Sequence, residues 1–176
     1  MILPKAFKWV LRILLIFAIT LTLPVVFLGP LWHWKNGDFI YHNQWKILVA
    51  PSFFVSNTAT GPSLWKLPVG FPLRHDPYAV IGISDLKRPF EYEADYQTFI
   101  NSTGMVADTQ RYQFLREVSI GTKFAHCLEY GLPNNSAKSF AQCTVEHSNL
   151  MVSFRGHTKY LPVLVSTIRS MSEQSK

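Results

Sequence analysis

The 176-residue sequence has two cysteines, a charged fraction of 16% and no run of three or more consecutive Lys/Arg side chains. Each scarcity excludes something. Two cysteines without C-x-x-C spacing leave out zinc-ribbon frameworks and the usual dithiol redox motif. The net charge is +6, yet no Lys/Arg run interleaved with aromatics offers the stripe that would track phosphates. Net charge by itself speaks to solubility and encounter rather than to a partner. No G-x-S-x-G elbow, P-loop, H-E-x-x-H, EF-hand loop or G-x-G-x-x-G is found, so the common motif-borne chemistries have no foothold. Repeats of 20–50 residues and low-complexity stretches are also missing. The expectations are no nucleic-acid partner, no cofactor, no metal site and no catalytic residue.

What is present is apolar and aromatic. Hydrophobic residues make up 48% and aromatics 14%, enough for most of the chain to fold. The length suits one domain with an appendage.

That appendage is N-terminal. From Ile13 to Trp34 the polar side chains are Thr20, Thr22 and His33, and about 20 apolar residues suffice to cross the hydrocarbon core as a helix. Trp9 stands at one end and Trp32 and Trp34 at the other, where indole rings favour the headgroups. Trp9 and Trp32 are separated by about 34 Å of helix at about 1.5 Å per residue. Arg12, one turn inside Trp9, can snorkel outward, and Gly29-Pro30 is expected to end the helix. Lys5, Lys8 and Arg12 precede the span while Lys35 alone follows closely, so the positive-inside rule puts the N-terminus in the cytoplasm. The reading is a basic tail at 1–12, a single-pass anchor at 13–34 in the plasma (inner) membrane, and an extracytoplasmic domain at 35–176. A cleaved signal peptide is the rival, but Val25 to Trp32 offers no A-x-A-like site. A buried core helix is the third possibility.

Export suits the cysteines. Lys123–Gly131 and Ser139–Ser148 read as strands around the turn chemistry of Leu132-Pro133-Asn134-Asn135-Ser136. Folding the hairpin about Asn135 sets Cys127 opposite Cys143, Glu129 opposite Ala141 and Ala125 opposite Val145, with Tyr130–Phe140 and Leu128–Gln142 on the other face. Opposed Cβ atoms are close enough for a structural disulfide. Reduced thiols, a redox pair, or a zinc site recruiting His126 or His147 are the alternatives. Cys143 and His147 lie about 13 Å apart on an extended strand, too far to share a metal.

Further strands are expected at Tyr41–Ala50, after which Phe53–Ser56 resumes an extended piece, and at Ser63–Leu67, Tyr78–Ser84, Tyr112–Ile120 and Leu150–Phe154. Pro89–Gly104 reads as a helix with acidic residues in its first turn and an apolar stripe of Tyr92, Tyr96, Phe99, Ile100 and Thr103. A second helix covers Thr158–Met171, striped by Leu161, Leu164, Val165, Ile168 and Met171. The fold class is α+β: a mainly antiparallel sheet of 5–7 strands packed with two amphipathic helices, in the order βββ-α-ββββ-α.

This order, with Trp45-Lys46-Ile47 and Pro51 opening the domain and a closing helix ending at Ser170-Met171-Ser172, resembles the PsbP-like α/β/α sandwich from about Tyr41 to Met171. That fold is shared by lumenal photosystem subunits and an unrelated nuclear-import factor. The resemblance implies a non-catalytic adaptor, assembly factor or extrinsic subunit, and brings no functional residue with it.

The function expected by elimination is a membrane-anchored extracytoplasmic accessory or binding protein, touching the lipid bilayer and a protein or envelope partner. The alternatives are an envelope enzyme using His75-Asp76 with Ser84 or Asp85, and a thiol-redox or assembly factor using Cys127 and Cys143. Trp32, Trp34, Phe39, Tyr41 and Trp45 cluster where the chain leaves the span. They divide between interface belt and core, or else form a platform against the bilayer or a partner. Asn101-Ser102-Thr103 and Asn134-Asn135-Ser136 match glycosylation sequons.

Overall fold

A computed structural model describes residues 5–68, 76–120 and 125–173, the side chains of 5–7, 21–25 and 173 excepted. Helix α1 (Lys5–Asn36) is continuous through Gly29-Pro30, so the expected stop lies nearly two turns too early, at about 3.6 residues per turn. The helix ends where Gly37 takes φ 77 and its N–H donates to the His33 carbonyl at 2.8 Å, with the Asn36 amide turned back onto the Trp32 carbonyl. Proline removes one helical hydrogen bond but need not end a helix whose next turns are anchored. Here they are anchored: Trp32 packs on the domain core, and His33 Nε2 lies 3.0 Å from the Ala50 carbonyl. Gly29 serves as a contact. A Cβ there would fall 2.9 Å from the Ser52 carbonyl carbon. Among the described residues no helix is long and apolar enough to cross a membrane, so the span expected at 13–34 finds no support there.

The expected strand Tyr41–Ala50 is instead a hairpin of β1 (Phe39–His42) and β2 (Trp45–Leu48). Asn43, at φ 52, turns the chain in two residues, a conformation asparagine tolerates better than most side chains. A second hairpin follows from β3 (Phe54–Thr58) and β4 (Gly61–Lys66), and β5 (Ala79–Asp85) pairs with it. Helix α2 (Tyr92–Thr109) begins three residues later than expected and runs past Gly104. Its C-terminal turn is closed by Arg111 at φ 60 and by the Tyr112 N–H on the Ala107 carbonyl, so an arginine occupies the left-handed position that glycine usually takes. Its stripe is as read, with Phe99 and Thr103 buried and Tyr92, Tyr96 and Ile100 half-buried; the longer helix adds buried Ala107.

Strands β6 (Gln113–Ile120), β7 (Ala125–Leu132), β8 (Asn135–Val145) and β9 (Leu150–His157) then form an antiparallel run. A 3-10 turn at Thr158–Tyr160 leads into α3 (Leu161–Ser170), which carries Pro162 in its first turn, and β10 (Ser172–Glu173) closes the described chain. The large sheet has the order β3-β4-β5-β9-β8-β7-β6, and a small sheet has the order β1-β2-β10. The element order is therefore five strands, helix, four strands, helix and a short strand. The coarse class, α+β with a mainly antiparallel sheet, is as read; the extra strands come from the Asn43 turn that splits Tyr41–Ala50, from Phe54–Thr58 pairing as a strand of its own, and from β10.

Burial follows the period-two alternation of strands. Ile81, Ile83, Val152, Phe154 and Cys143 point to one face, where Ile47, Val49, Leu164, Ile168 and Met171 from the small sheet and α3 close the main core. On the opposite face Leu128, Tyr130 and Phe140 pack under Phe99 and Ala107 of α2. Helix α2 contacts only the β6 and β7 side of that face at length, so the β4-β5-β9 part stays open.

Candidate functional site

The open part of the sheet face is a cleft of about 750 Å³, within the roughly 300–1,000 Å³ of small-molecule sites. Strand register builds its floor. Trp65, Val80, Arg155 and Phe140 are successive cross-strand neighbours on β4, β5, β9 and β8. Two residues along, Ser63, Gly82 and Ser153 make the next row. Small side chains in the second row hollow the surface while larger ones in the first form a bank. A Cβ at Gly82 would lie 2.8 Å from Ser153 Oγ and 3.9 Å from Ser63 Oγ, so the missing side chain leaves a notch that the Ser153 hydroxyl leans over and the Ser63 hydroxyl borders.

The electrostatics are uneven. Lys138 lines the cleft with its ammonium answered by Asp76 at 3.2 Å. Arg155 is exposed, and among the described residues no acidic group, hydrogen-bond acceptor or ring engages it. Ser63 is buried to 7% exposure and its hydroxyl has no partner among the described residues. The Ser153 hydroxyl reaches the Gly82 carbonyl only at 3.4 Å. Gln110 Oε1 and Trp65 Nε1, both on lining residues, are buried without a partner among the described residues.

The sequence-predicted residues fall elsewhere. Cys127 and Cys143 are directly paired on β7 and β8, at disulfide distance with Cα atoms 4.0 Å apart. Every pair expected around them, from Ala125–Val145 to Tyr130–Phe140, is in register. Both cysteines are core residues, 3% and 0% exposed. Trp9 and Arg12 lie together on α1, the guanidinium 5.9 Å from the ring centroid. Trp32 is turned toward the core, whereas Trp34 is 87% exposed. Of the aromatic cluster, Trp45 is core and Tyr41 and Phe39 are exposed, with Lys46 Nζ 4.1 Å from the Phe39 ring.

The candidate hydrolytic set does not assemble among the described residues. His75 lies outside them, and Asp76 pairs with Lys138. Asp85 accepts from Asn43 at 2.8 Å and faces His42 Nε2 at 3.2 Å. Ser84 donates to the Met151 carbonyl. Sequence reasoning missed the cleft because its residues come from four strands and carry no local motif; the small Gly82, between apolar neighbours, was its one trace.

A second polar cluster sits beneath the start of α2. His126 stacks on Tyr92 with ring centroids 4.1 Å apart, between Glu117 at 3.7 Å and Glu146 at 4.0 Å. The Tyr96 hydroxyl donates to Glu117, which holds the Tyr96 pKa above its usual value. His147 lies apart, in the following turn at φ 58. Among the described residues no three His, Cys, Asp or Glu side chains converge as metal ligands.

No family model matches the chain, and no curated protein matches it. Among solved structures, the domain is similar to cyanobacterial PsbP (CyanoP) from Synechocystis sp. PCC 6803, with a TM-score of 0.50 at 8% identity over 77% of this chain and 91% of that one. The fold is thus PsbP-like, a class of α+β sandwich. At this identity the likeness is one of architecture.

Proposed function

We propose that this is a single-pass membrane-anchored binding or accessory protein, with its N-terminus in the cytoplasm and its PsbP-like domain on the extracytoplasmic side. The observation that carries the reading is the solvent exposure of α1. From residue 8 to residue 20 every side chain is exposed, and all but Lys8, Arg12 and Thr20 are apolar; Trp9, Ile13 and Phe17 each expose more than 60%. Soluble monomers rarely expose contiguous apolar patches beyond a few hundred Å², and lipid is the medium that accepts such a surface. The sequence continues apolar through 21–25, where no side chain is described. From Trp9 to Leu28, just before Gly29 meets the domain, the helix rises about 29 Å at 1.5 Å per residue, which matches the hydrocarbon thickness. Lys8 and Arg12 at the near end favour a cytoplasmic N-terminus.

Binding rather than turnover is favoured by the cleft. Among the described residues its lining offers hydroxyls, an indole and one unanswered cation, while Asp76 and Asp85 are engaged in structural pairs. Burial of Cys127 and Cys143 weighs against thiol exchange, which needs access. Alkaline carbonate extraction of membranes from expressing cells tests the anchorage. The chain is expected to sediment with the membranes, and its release into the supernatant would contradict the proposal.

A further inference from the structure

The geometry points to a carboxylate-bearing sugar as the ligand of the sheet-face cleft, with Arg155 as its anion anchor. The inference deepens the binding reading and is independent of whether α1 is inserted in a bilayer.

Arg155 stands on the sheet floor between the apolar neighbours Val80 and Phe140. The one acid lining the cleft among the described residues, Asp76, is taken by Lys138. A guanidinium left in this position has a planar fork for a carboxylate and gains more from it than an ammonium would. Among the described lining residues the surplus is one positive charge, which matches a monoanion rather than a polyphosphate.

Hydroxyl chemistry beside the arginine narrows the class. The Ser63 and Ser153 hydroxyls flank the notch over Gly82, one without a partner among the described residues and the other with a long one. A fatty acid would leave both unmet. A polyhydroxylated ring satisfies both, and Gln110 also lines the cleft. Dimensions agree: Trp65 and Arg155 stand two strands apart, about 9.6 Å at about 4.8 Å per strand. That spacing accommodates a pyranose ring lying over Val80 and Gly82 with its carboxylate on the guanidinium. The half-buried Trp65 indole supplies an apolar wall for the ring's C–H face.

Titration of the full-length chain in detergent micelles by calorimetry, using galacturonic acid trimer, neutral galactose trimer and acetate as probes, tests this. The acidic trimer is expected to bind saturably and about tenfold or more tighter than the neutral one, with acetate failing to compete at equal concentration. Arg155→Gln alters an exposed side chain, so the fold should survive; it is expected to weaken the acidic trimer about tenfold and leave thermal unfolding unchanged. Gly82→Ala, which fills the notch, is expected to weaken it severalfold. Absence of saturable binding, equal binding of the two trimers, or indifference to Arg155→Gln overturns the proposal. Competition by acetate at equal concentration also overturns it, reducing the site to one for bare anions. Carbonate extraction is blind to all of these outcomes, so failure of the glycan site and failure of the anchor are distinguishable.

Discussion

Gly29 of α1 and Ser52 of the turn after β2 meet so closely that a Cβ on Gly29 would lie 2.9 Å from the Ser52 carbonyl carbon and 3.1 Å from the Pro51 carbonyl oxygen. Backbone against backbone, with Trp32 and His33 one turn on, fixes the helix end to the domain rather than leaving it on a flexible linker. Gly29→Leu is therefore expected to pry the helix end away while the sandwich stays folded. Trypsin cleavage at Lys35 should accelerate about tenfold, with global stability changed by less than about 1 kcal/mol. Unchanged cleavage would mean the close approach does not hold the junction.

The paired cysteines staple a hairpin with a sequence separation of 16. In the chain-entropy account, closing such a loop contributes about 3 kcal/mol. Cys127→Ala combined with Cys143→Ala is expected to lose about that much in urea unfolding, with some further loss from the core volume removed. A loss below about 1 kcal/mol would indicate that the two strands are held by packing alone.

Gly104 lies inside α2, and the nearest atom to a Cβ placed there is the Tyr130 hydroxyl at 4.0 Å. Alanine fits that space and is the better helix former. Gly104→Ala is expected to stabilise the protein by about 0.5–1 kcal/mol, measured by the same urea titration. Destabilisation would show that the helix bends or breathes at this position.

Lys66 is pressed by burial first and by the neighbouring Lys159 charge second, and both lower its pKa. A depressed folded-state pKa favours the neutral amine, so its contribution to stability is present above the unfolded pKa, about 10.4, and is lost as pH falls through the folded value. Lys66→Met is accordingly expected to be more stable than the parent at pH 7, with the gap narrowing toward pH 10.5. A gap constant between pH 7 and 10.5 would remove the electrostatic explanation.

Much of the sandwich was legible because its cues are local. The alternation around Cys127 and Cys143 set the register of β7 against β8, and the stripes Tyr92–Thr103 and Leu161–Met171 marked both packing helices. Errors arose where one residue has two uses. Gly29-Pro30 reads as a stop, yet Gly29 is a contact and Gly37 is the cap. Asn43 divides an apparently continuous strand by adopting the left-handed conformation. Arg111 closes α2 from the left-handed conformation, beyond the helix end read at Gly104. The cleft was illegible for a different reason: Trp65, Gly82, Arg155 and Ser153 are brought together by pairing among β4, β5 and β9, which no window along the chain contains.

The central claim, an exported domain on a membrane helix, is tested most directly by labelling one engineered thiol. Met105→Cys places it on the solvent side of α2, at a position 72% exposed, while Cys127 and Cys143 remain buried and paired. Sealed cells expressing this variant are treated with a membrane-impermeant maleimide before or after permeabilisation. The account predicts full labelling of the variant before permeabilisation and none of the parent. Labelling of the variant only after permeabilisation would put the domain in the cytoplasm and contradict the account.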